Sequence, residues 1–158
     1  MTSEPAFAPD RDPLLLDAML GKLARYLRLC GYDAAYVLDR DVEADDRVLA
    51  TARAEGRTLL TRDGQLAARA DDAVLLTTRE IDDQLRELRD ARFRLELAAD
   101  PAHCGRCNGR LEPVDPTAAT PEYAPDPAES DVWRCEACGQ HFWKGSHWAD
   151  VAETLATL

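Results

Sequence analysis

The sequence lacks any apolar run near the ~20 residues that a membrane-spanning helix requires, and it lacks an excess of basic charge. Its 158 residues carry 19 Lys and Arg against 30 Asp and Glu, for a net charge of −11. We therefore expect no membrane association and no nucleic-acid surface of the usual strongly basic kind. Because 46% of the residues are hydrophobic, we expect a folded core rather than global disorder.

The first 13 residues lack the apolar segment of a secretory signal peptide, and two acidic residues precede the first basic one. We expect residues 1–13 to form a flexible tail. Five cysteines without a secretion signal indicate a reducing compartment, and we expect the protein to be cytoplasmic.

Four of the cysteines form two Cys-x-x-Cys pairs, Cys104/Cys107 and Cys135/Cys138. Each pair can direct two sulfurs at one point, and two pairs supply the four thiolates of a tetrahedral structural zinc site. Gly139 follows the second pair and suits a tight turn. The spacing predicts zinc, with disulfide or redox chemistry as the alternatives. The fifth cysteine, Cys30, lies in an apolar helical pattern and is expected to be a buried thiol.

Short apolar segments alternate with helical patterns over residues 14–100, which predicts an α/β domain with a parallel sheet and helices on both faces. The predicted strands are 14–16, 34–38, 58–61 and 73–76, and the predicted helices are 18–30, 45–55 and 64–70. A capping box at Thr77-x-x-Glu80 predicts a further long helix to about Ala98. Residues 101–158 are predicted to form a small zinc module with a proline-rich excursion over 113–127 and a closing helix over 147–158.

Three aspartates follow the predicted strands. Asp17 and Asp63 each come directly after an apolar strand, and Asp45 opens the helix after the second strand. Because the carboxyl ends of parallel strands meet at one edge of a sheet, we expect these carboxylates to converge there. Clustered carboxylates are stable around a hard divalent cation such as Mg²⁺ or Mn²⁺. The competing interpretation is local: an N-cap for Asp45 and turn chemistry for Asp63.

The first helix carries a basic stripe beside Asp17. Lys22, Arg25 and Arg28 lie three residues apart and share one helix face. A cationic stripe beside an acidic metal pocket suits a phosphodiester substrate, whose backbone the cations would hold. The alternative is an ordinary solvated face of an amphipathic helix.

Five segments together resemble a known family, and they run in the family's order from about residue 14 to 150. They are Leu16 to Asp33 (LDAMLGKLARYLRLCGYD), Glu55 to Asp63 (EGRTLLTRD), Cys104 to Gly109 (CGRCNG), Trp133 to Gly139 (WRCEACG) and Trp143 to Trp148 (WKGSHW). The sequence resembles the Mut7-C RNase domain, a branch of the PIN-like nucleases.

The resemblance implies a PIN-like three-layer α/β/α parallel sheet followed by a small zinc ribbon, and metal-dependent cleavage of RNA. Asp17 and Asp63 match the acidic positions of the family, and Asp45 matches the acid that opens the second helix. Adjacent Asp46 is the alternative at that position. A fourth acid is common in PIN-like sites, and Asp82 or Asp83 would supply it here.

These observations favour a cytoplasmic endoribonuclease. Asp17, Asp45 and Asp63 would hold Mg²⁺ or Mn²⁺, while Lys22, Arg25 and Arg28 position the RNA and the ribbon has a structural or RNA-gripping role. The first alternative is a non-catalytic RNA- or protein-binding zinc-ribbon module. The second is an Asp-based phosphatase or phospho-acceptor domain. It needs either an Asp-x-Asp motif, where this chain has Met19, or a well-placed late lysine, and the only late lysine is Lys144 in the zinc module.

Overall fold

Four short strands form a parallel sheet in the order β2-β1-β3-β4. The computed structural model describes residues 4–158. The strands of this sheet are β1 (Leu14–Leu16), β2 (Ala34–Tyr36), β3 (Thr58–Thr61) and β4 (Ala73–Leu75). The helices are α1 (Gly21–Leu29), α2 (Asp45–Glu55), α3 (Gly64–Arg69), α4 (Ile81–Asp90) and α5 (Ser146–Ala156). No helix in residues 4–158 is both long enough and apolar enough to cross a membrane.

The two central strands are buried on both faces, as is usual for parallel strands covered by helices. Successive residues of a strand point to opposite faces. Leu14 and Leu16 pack with the apolar residues of α1 and α4, whereas Leu15 and Leu59 pack with those of α2 and α3. The chain therefore folds into a mixed α/β domain with one core on each side of the sheet.

Helix α4 is shorter than the sequence predicts. It ends at Asp90 rather than near Ala98, and Arg92 just beyond it has φ 69°, which no helical residue adopts. The predicted capping box at Thr77-x-x-Glu80 is also wrong, because Glu80 is the N-cap residue and makes no side-chain capping bond. The amide and hydroxyl groups of Thr77 instead donate to the Glu87 carboxylate.

A second, smaller sheet contains the cysteine pairs. Strands β5 (Leu111–Pro113), β6 (Trp133–Cys135) and β7 (His141–Phe142) are antiparallel, with β6 in the centre. The closing helix α5 begins at Ser146. Leu155 in this helix and Leu158 just beyond its end pack against the core that contains the α1 and α4 residues. This helix, predicted as part of the zinc module, therefore also packs against the larger domain.

Part of the segment expected to be a flexible tail is packed on the domain. The Phe7 ring stacks on Phe93 with centroids 4.1 Å apart, and the buried Tyr32 hydroxyl donates to the Phe7 carbonyl at 2.9 Å. Ala8 is 7% exposed. Residues 1–3 of that segment lie outside the described residues. Apolar side chains at positions 7 and 8 explain why the chain is held here.

Candidate functional site

The four cysteines of the two Cys-x-x-Cys pairs meet at one point. Their sulfur atoms all lie within 4.8 Å of one another, with 3.8 Å between the Sγ atoms of Cys104 and Cys138 and 3.5 Å between those of Cys107 and Cys135. Four thiolates at the usual Zn–S distance of about 2.3 Å form a tetrahedron with edges of about 3.8 Å. None of the five cysteines is in a disulfide. The residues therefore fit a tetrahedral zinc ion.

Backbone amides and one glycine shape this cysteine centre. The amides of Ala137 and Cys138 donate to Cys135 Sγ, and the amide of Gly109 donates to Cys107 Sγ, each at 3.4 Å. A Cβ atom added to Gly109 would lie only 2.6 Å from Cys135 Sγ. The second knuckle turns at Gly139, whose φ of 78° agrees with the tight turn predicted there.

The sulfurs of the cysteine centre differ in acidity. Burial raises the pKa of the Cys107 thiol to about 12. At Cys135 desolvation also acts to raise the pKa, but amide N–H donors and neighbouring thiols outweigh it and bring the pKa to about 7. Four thiolates without a counter-ion would repel one another, so a bound cation is what allows all four to ionise together.

Arg28 joins the parallel sheet to the cysteine centre and is not part of an exposed stripe. It is 3% exposed, and its guanidinium donates to the carbonyls of Ala34 at 2.9 Å and Gly105 at 3.0 Å and faces Asp39 at 3.4 Å. Burial lowers the pKa of this guanidinium, and Asp39 partly offsets that effect. Arg28 is therefore not on a solvated helix face, and its guanidinium is already bound by groups of the protein, whereas Lys22 and Arg25 are exposed.

Asn108 makes a second connection between the two sheets. Its backbone adopts φ 69°, its side-chain amide donates to Asp33 Oδ1 at 2.6 Å, and its Oδ1 atom accepts from the Ala34 amide at 2.9 Å. Asp33 also pairs with Arg57 at 2.8 Å. The first cysteine knuckle is thus hydrogen-bonded directly to the start of β2.

At the carboxyl edge of the sheet, Thr61 connects two of the predicted aspartates. Its hydroxyl donates to Asp17 Oδ2 at 2.6 Å and accepts from the Asp63 amide at 3.0 Å. Thr61 is fully buried, so this geometry is held from within the sheet. Asp17 and Asp63 therefore lie at the same edge, as the strand ends predicted. From the sequence, Thr61 was assigned only to a strand and given no role in the site. The signal that could have identified it is a hydroxyl-bearing residue two positions before Asp63.

The three aspartates differ in their remaining hydrogen bonds. Asp17 Oδ1 accepts from the amide of Ala18 at 2.8 Å. Asp63 is the N-cap of α3, and its Oδ1 atom accepts from the Gln65 and Leu66 amides. Asp45 is exposed at the first turn of α2 and is not the N-cap, which is Ala44.

The three aspartates do not form a ready-made group of metal ligands like that of the cysteines. Within residues 4–158, the four cysteines are the one group of three or more potential ligands whose donor atoms lie within 4.8 Å of one another. Three oxygens bound directly to one Mg²⁺ at about 2.1 Å lie at most about 4.2 Å apart. Asp17, Asp45 and Asp63 do not form such a group, so direct coordination of one ion by all three requires side-chain movement.

Asp46, the alternative to Asp45, and the candidates for a fourth acid lie in ion pairs or in a helix turn. Asp46 pairs with Arg69 at 2.6 Å on the exposed surface. Asp83 pairs with Arg86 at 2.9 Å, three residues along the same helix, and Asp82 lies in the first turn of α4.

Met19 lies between Asp17 and α1, and its side chain is 79% exposed. Its backbone has φ 75°, and such a left-handed conformation costs about 1–2 kcal/mol in a non-glycine residue.

These features define a mixed α/β protein with a parallel four-stranded sheet and a four-cysteine centre in a separate small sheet. The family model described as "Mut7-C RNAse domain" matches residues 12–155, which is nearly the whole chain. The chain belongs to the Mut7-C RNAse domain family, and the family description indicates a nuclease-like function that involves RNA. No curated protein and no solved structure was found to match this chain.

Proposed function

We propose that this protein is a metal-dependent endoribonuclease with a PIN-like active site at the carboxyl edge of its parallel sheet. The observation that carries the proposal is the buried Thr61 hydroxyl, which joins Asp17 to the backbone of Asp63 at the edge where parallel sheets bind ligands. Membership of the Mut7-C RNAse domain family supports RNA as the substrate.

In this proposal Asp17 is the principal direct ligand of Mg²⁺ or Mn²⁺. Mg²⁺ usually keeps several waters and binds through one or two carboxylates, and this mode does not need Asp17, Asp45 and Asp63 to form a close group of ligands. Asp45 and Asp63 would hold ion-bound water through their exposed oxygens. A divalent ion bound there would supply a water of lowered pKa and neutralise charge on the scissile phosphate. Thr61 would fix the orientation of the Asp17 carboxylate.

We assign zinc to the four cysteines with a structural role. A closed four-thiolate centre leaves no open position for substrate, and the ribbon's own core is small, so metal binding would stabilise its fold. A zinc-binding set of cysteines suits a reducing compartment, so we propose a cytoplasmic location.

The decisive experiment measures cleavage of end-labelled RNA by the full chain with Mn²⁺ or Mg²⁺. We expect Asp17→Asn to lower the cleavage rate by about 100-fold or more, which corresponds to about 2.7 kcal/mol in the barrier. Asp131→Asn is the matched control, because Asp131 is an exposed aspartate in the segment that joins β5 to β6. Absence of cleavage by the wild type, or equal rates for the two variants, would refute the proposal.

The alternative is a non-catalytic module that binds RNA or protein. The N-cap role of Asp63 and the lack of a close carboxylate group within residues 4–158 favour it. The two proposals differ in a second class of metal site. Calorimetric titration of Mn²⁺ into zinc-loaded protein separates them. If the protein is a nuclease, the wild type binds Mn²⁺ and the Asp17→Asn variant does not. If it is a binding module, neither protein binds Mn²⁺.

A further inference from the structure

A groove runs between α1 and the zinc ribbon, by which we mean the sheet β5–β7 together with the four-cysteine centre. It consists of two adjoining cavities, of about 410 Å³ on the side of the sheet edge and about 330 Å³ on the side of the ribbon. Both cavities are lined by Arg25 of α1, Arg106 of the first cysteine knuckle and His147 of α5. One wall of the groove is therefore α1, from the domain of the parallel sheet, and the other belongs to the zinc ribbon. The groove exists only while these two parts stay packed together.

The groove is basic although the whole chain carries a net charge of −11. Its lining includes Lys22, Arg25 and Arg106, and the one acid among the lining residues is Asp39, which faces the buried Arg28. Within the described part of the chain, none of the three exposed cations has a carboxylate partner within 4.0 Å. An anionic ligand would therefore meet cations that are not already neutralised.

One end of the groove lies next to the carboxyl edge of the parallel sheet. Tyr36 lines it and is paired with Leu16, the residue immediately before Asp17. Gly21 at the start of α1 lies against the Tyr36 ring, where an added Cβ would be 3.1 Å from the ring carbons. A chain lying in the groove would thus pass from the ribbon, along α1, to the carboxyl edge of the sheet.

We propose that this groove binds the sugar–phosphate backbone of single-stranded RNA, with Arg106 as the ribbon's phosphate contact and Lys22 and Arg25 as those of α1. The inference rests on the proposed function for its choice of RNA. Tyr26 and Tyr36 line the same groove, and aromatic rings beside cations suit unpaired bases, which can stack on them. A paired duplex keeps its bases inside and offers no such faces.

The test compares two exposed ribbon arginines in the full chain. Arg106 lines the groove, whereas Arg110 is exposed outside it. Binding of a fluorescent 15-nucleotide oligouridine is measured in the Asp17→Asn background without added Mg²⁺ or Mn²⁺, so that no RNA is cleaved. We expect Arg106→Gln to weaken binding about 10-fold, as for removal of one charged hydrogen bond, and Arg110→Gln to change it less than 2-fold.

Salt dependence and a duplex give two further readouts. Removing one cation that neutralises a phosphate should reduce the slope of log affinity against log salt by about 0.7 for a single strand. A Lys22→Gln/Arg25→Gln double variant should lower that slope by about 1.4. Equal affinities and slopes for the Arg106 and Arg110 variants would overturn the groove proposal, and so would tighter binding of a 15-base-pair duplex than of the single strand.

Failure of the groove and failure of the nuclease are distinguishable. RNA cleavage that depends on Asp17 but is indifferent to Arg106 would overturn the groove and leave the proposed function standing. Binding that depends on Arg106 without any cleavage by the wild type would support the groove and reject catalysis. Arg106 and Arg110 are both exposed, so we expect neither substitution to change the thermal unfolding midpoint. Equal midpoints for the two variants and the wild type would confirm that the folds are intact.

Discussion

Replacement of Gly109 by alanine should disrupt the cysteine centre, whereas the same replacement at Gly105 should not. Both glycines lie in the first cysteine knuckle. A Cβ on Gly109 would lie 2.6 Å from Cys135 Sγ and 3.2 Å from Cys107 Sγ, while a Cβ on Gly105 meets nothing within 4 Å. Neither glycine has a positive φ, so the backbone accepts alanine at both positions. The pair therefore isolates the steric effect.

The size of the effect follows from the distances. Non-bonded carbon and sulfur atoms need at least about 3.5 Å, so the Cys135 sulfur and the new methyl group must separate by about 1 Å. A sulfur bound to zinc cannot move that far without lengthening its bond, and overpacking of this kind typically costs about 1–3 kcal/mol. We expect the zinc affinity of Gly109→Ala to fall by roughly 5- to 150-fold at about 1.4 kcal/mol per tenfold.

The assay is competition with a chromophoric zinc chelator, combined with thermal unfolding at saturating zinc. Gly105→Ala should match the wild type in both measurements. Wild-type zinc affinity and unfolding temperature in Gly109→Ala would refute the reasoning, because they would show that the sulfurs do not occupy the positions described. Equal losses in both variants would refute it as well, since only one of the two glycines is crowded.

Three further predictions follow from single contacts. Thr61→Val keeps the buried shape but removes the donor to Asp17; we expect RNA cleavage to fall by about 10- to 100-fold, as for supporting residues of metal ligands, with Thr61→Ser retaining most activity. Arg28→Met removes a buried guanidinium that donates to two carbonyls; unpaired acceptors cost about 1–3 kcal/mol each, so the free energy of unfolding in urea should fall by at least 1 kcal/mol, and an unchanged value would contradict the buried role. The pKa of Glu87 is lowered, with burial raising it and the Thr77 and Thr78 donors outweighing that effect. Its contribution to stability is therefore complete above the unfolded value of about 4.3 and is lost as the pH falls through the lower folded value; the stability difference between wild type and Glu87→Gln should shrink from pH 6 to pH 3, and a difference that grows would refute the sign.

Local sequence signals predicted much of the parallel sheet. Strand β3 and helix α2 have the predicted bounds. The β-favouring tetrapeptide Thr-Leu-Leu-Thr follows an apolar helical face, and Gly56 between them ends the helix with a φ of 62°. The α4 region shows the limit of such signals. Thr77 and Glu80 have the spacing of a capping box, but Glu87 lies within reach of the Thr77 amide and makes the bond instead.

The candidate site divides in the same way. Cysteine spacing was sufficient to predict a four-sulfur centre, since each Cys-x-x-Cys turn carries its geometry locally. Strand ends were sufficient to bring Asp17 and Asp63 to one edge. Thr61 was missed, because its role depends on the lateral pairing of β1 with β3, which places residues 44 positions apart side by side.

The sequence by itself determined the α/β class, the cysteine centre and the edge at which the aspartates lie, because periodicity and short spacings act over a few residues. Only the tertiary structure decided which cations remain available to a ligand. Arg25 and Arg28 are equivalent in the sequence, since they lie three residues apart on one helix. In the structure, Arg28 is bound by the carbonyls of Ala34 and Gly105, the latter 77 residues away, whereas Arg25 lines an open groove. Acceptors so distant along the chain leave no trace in local composition.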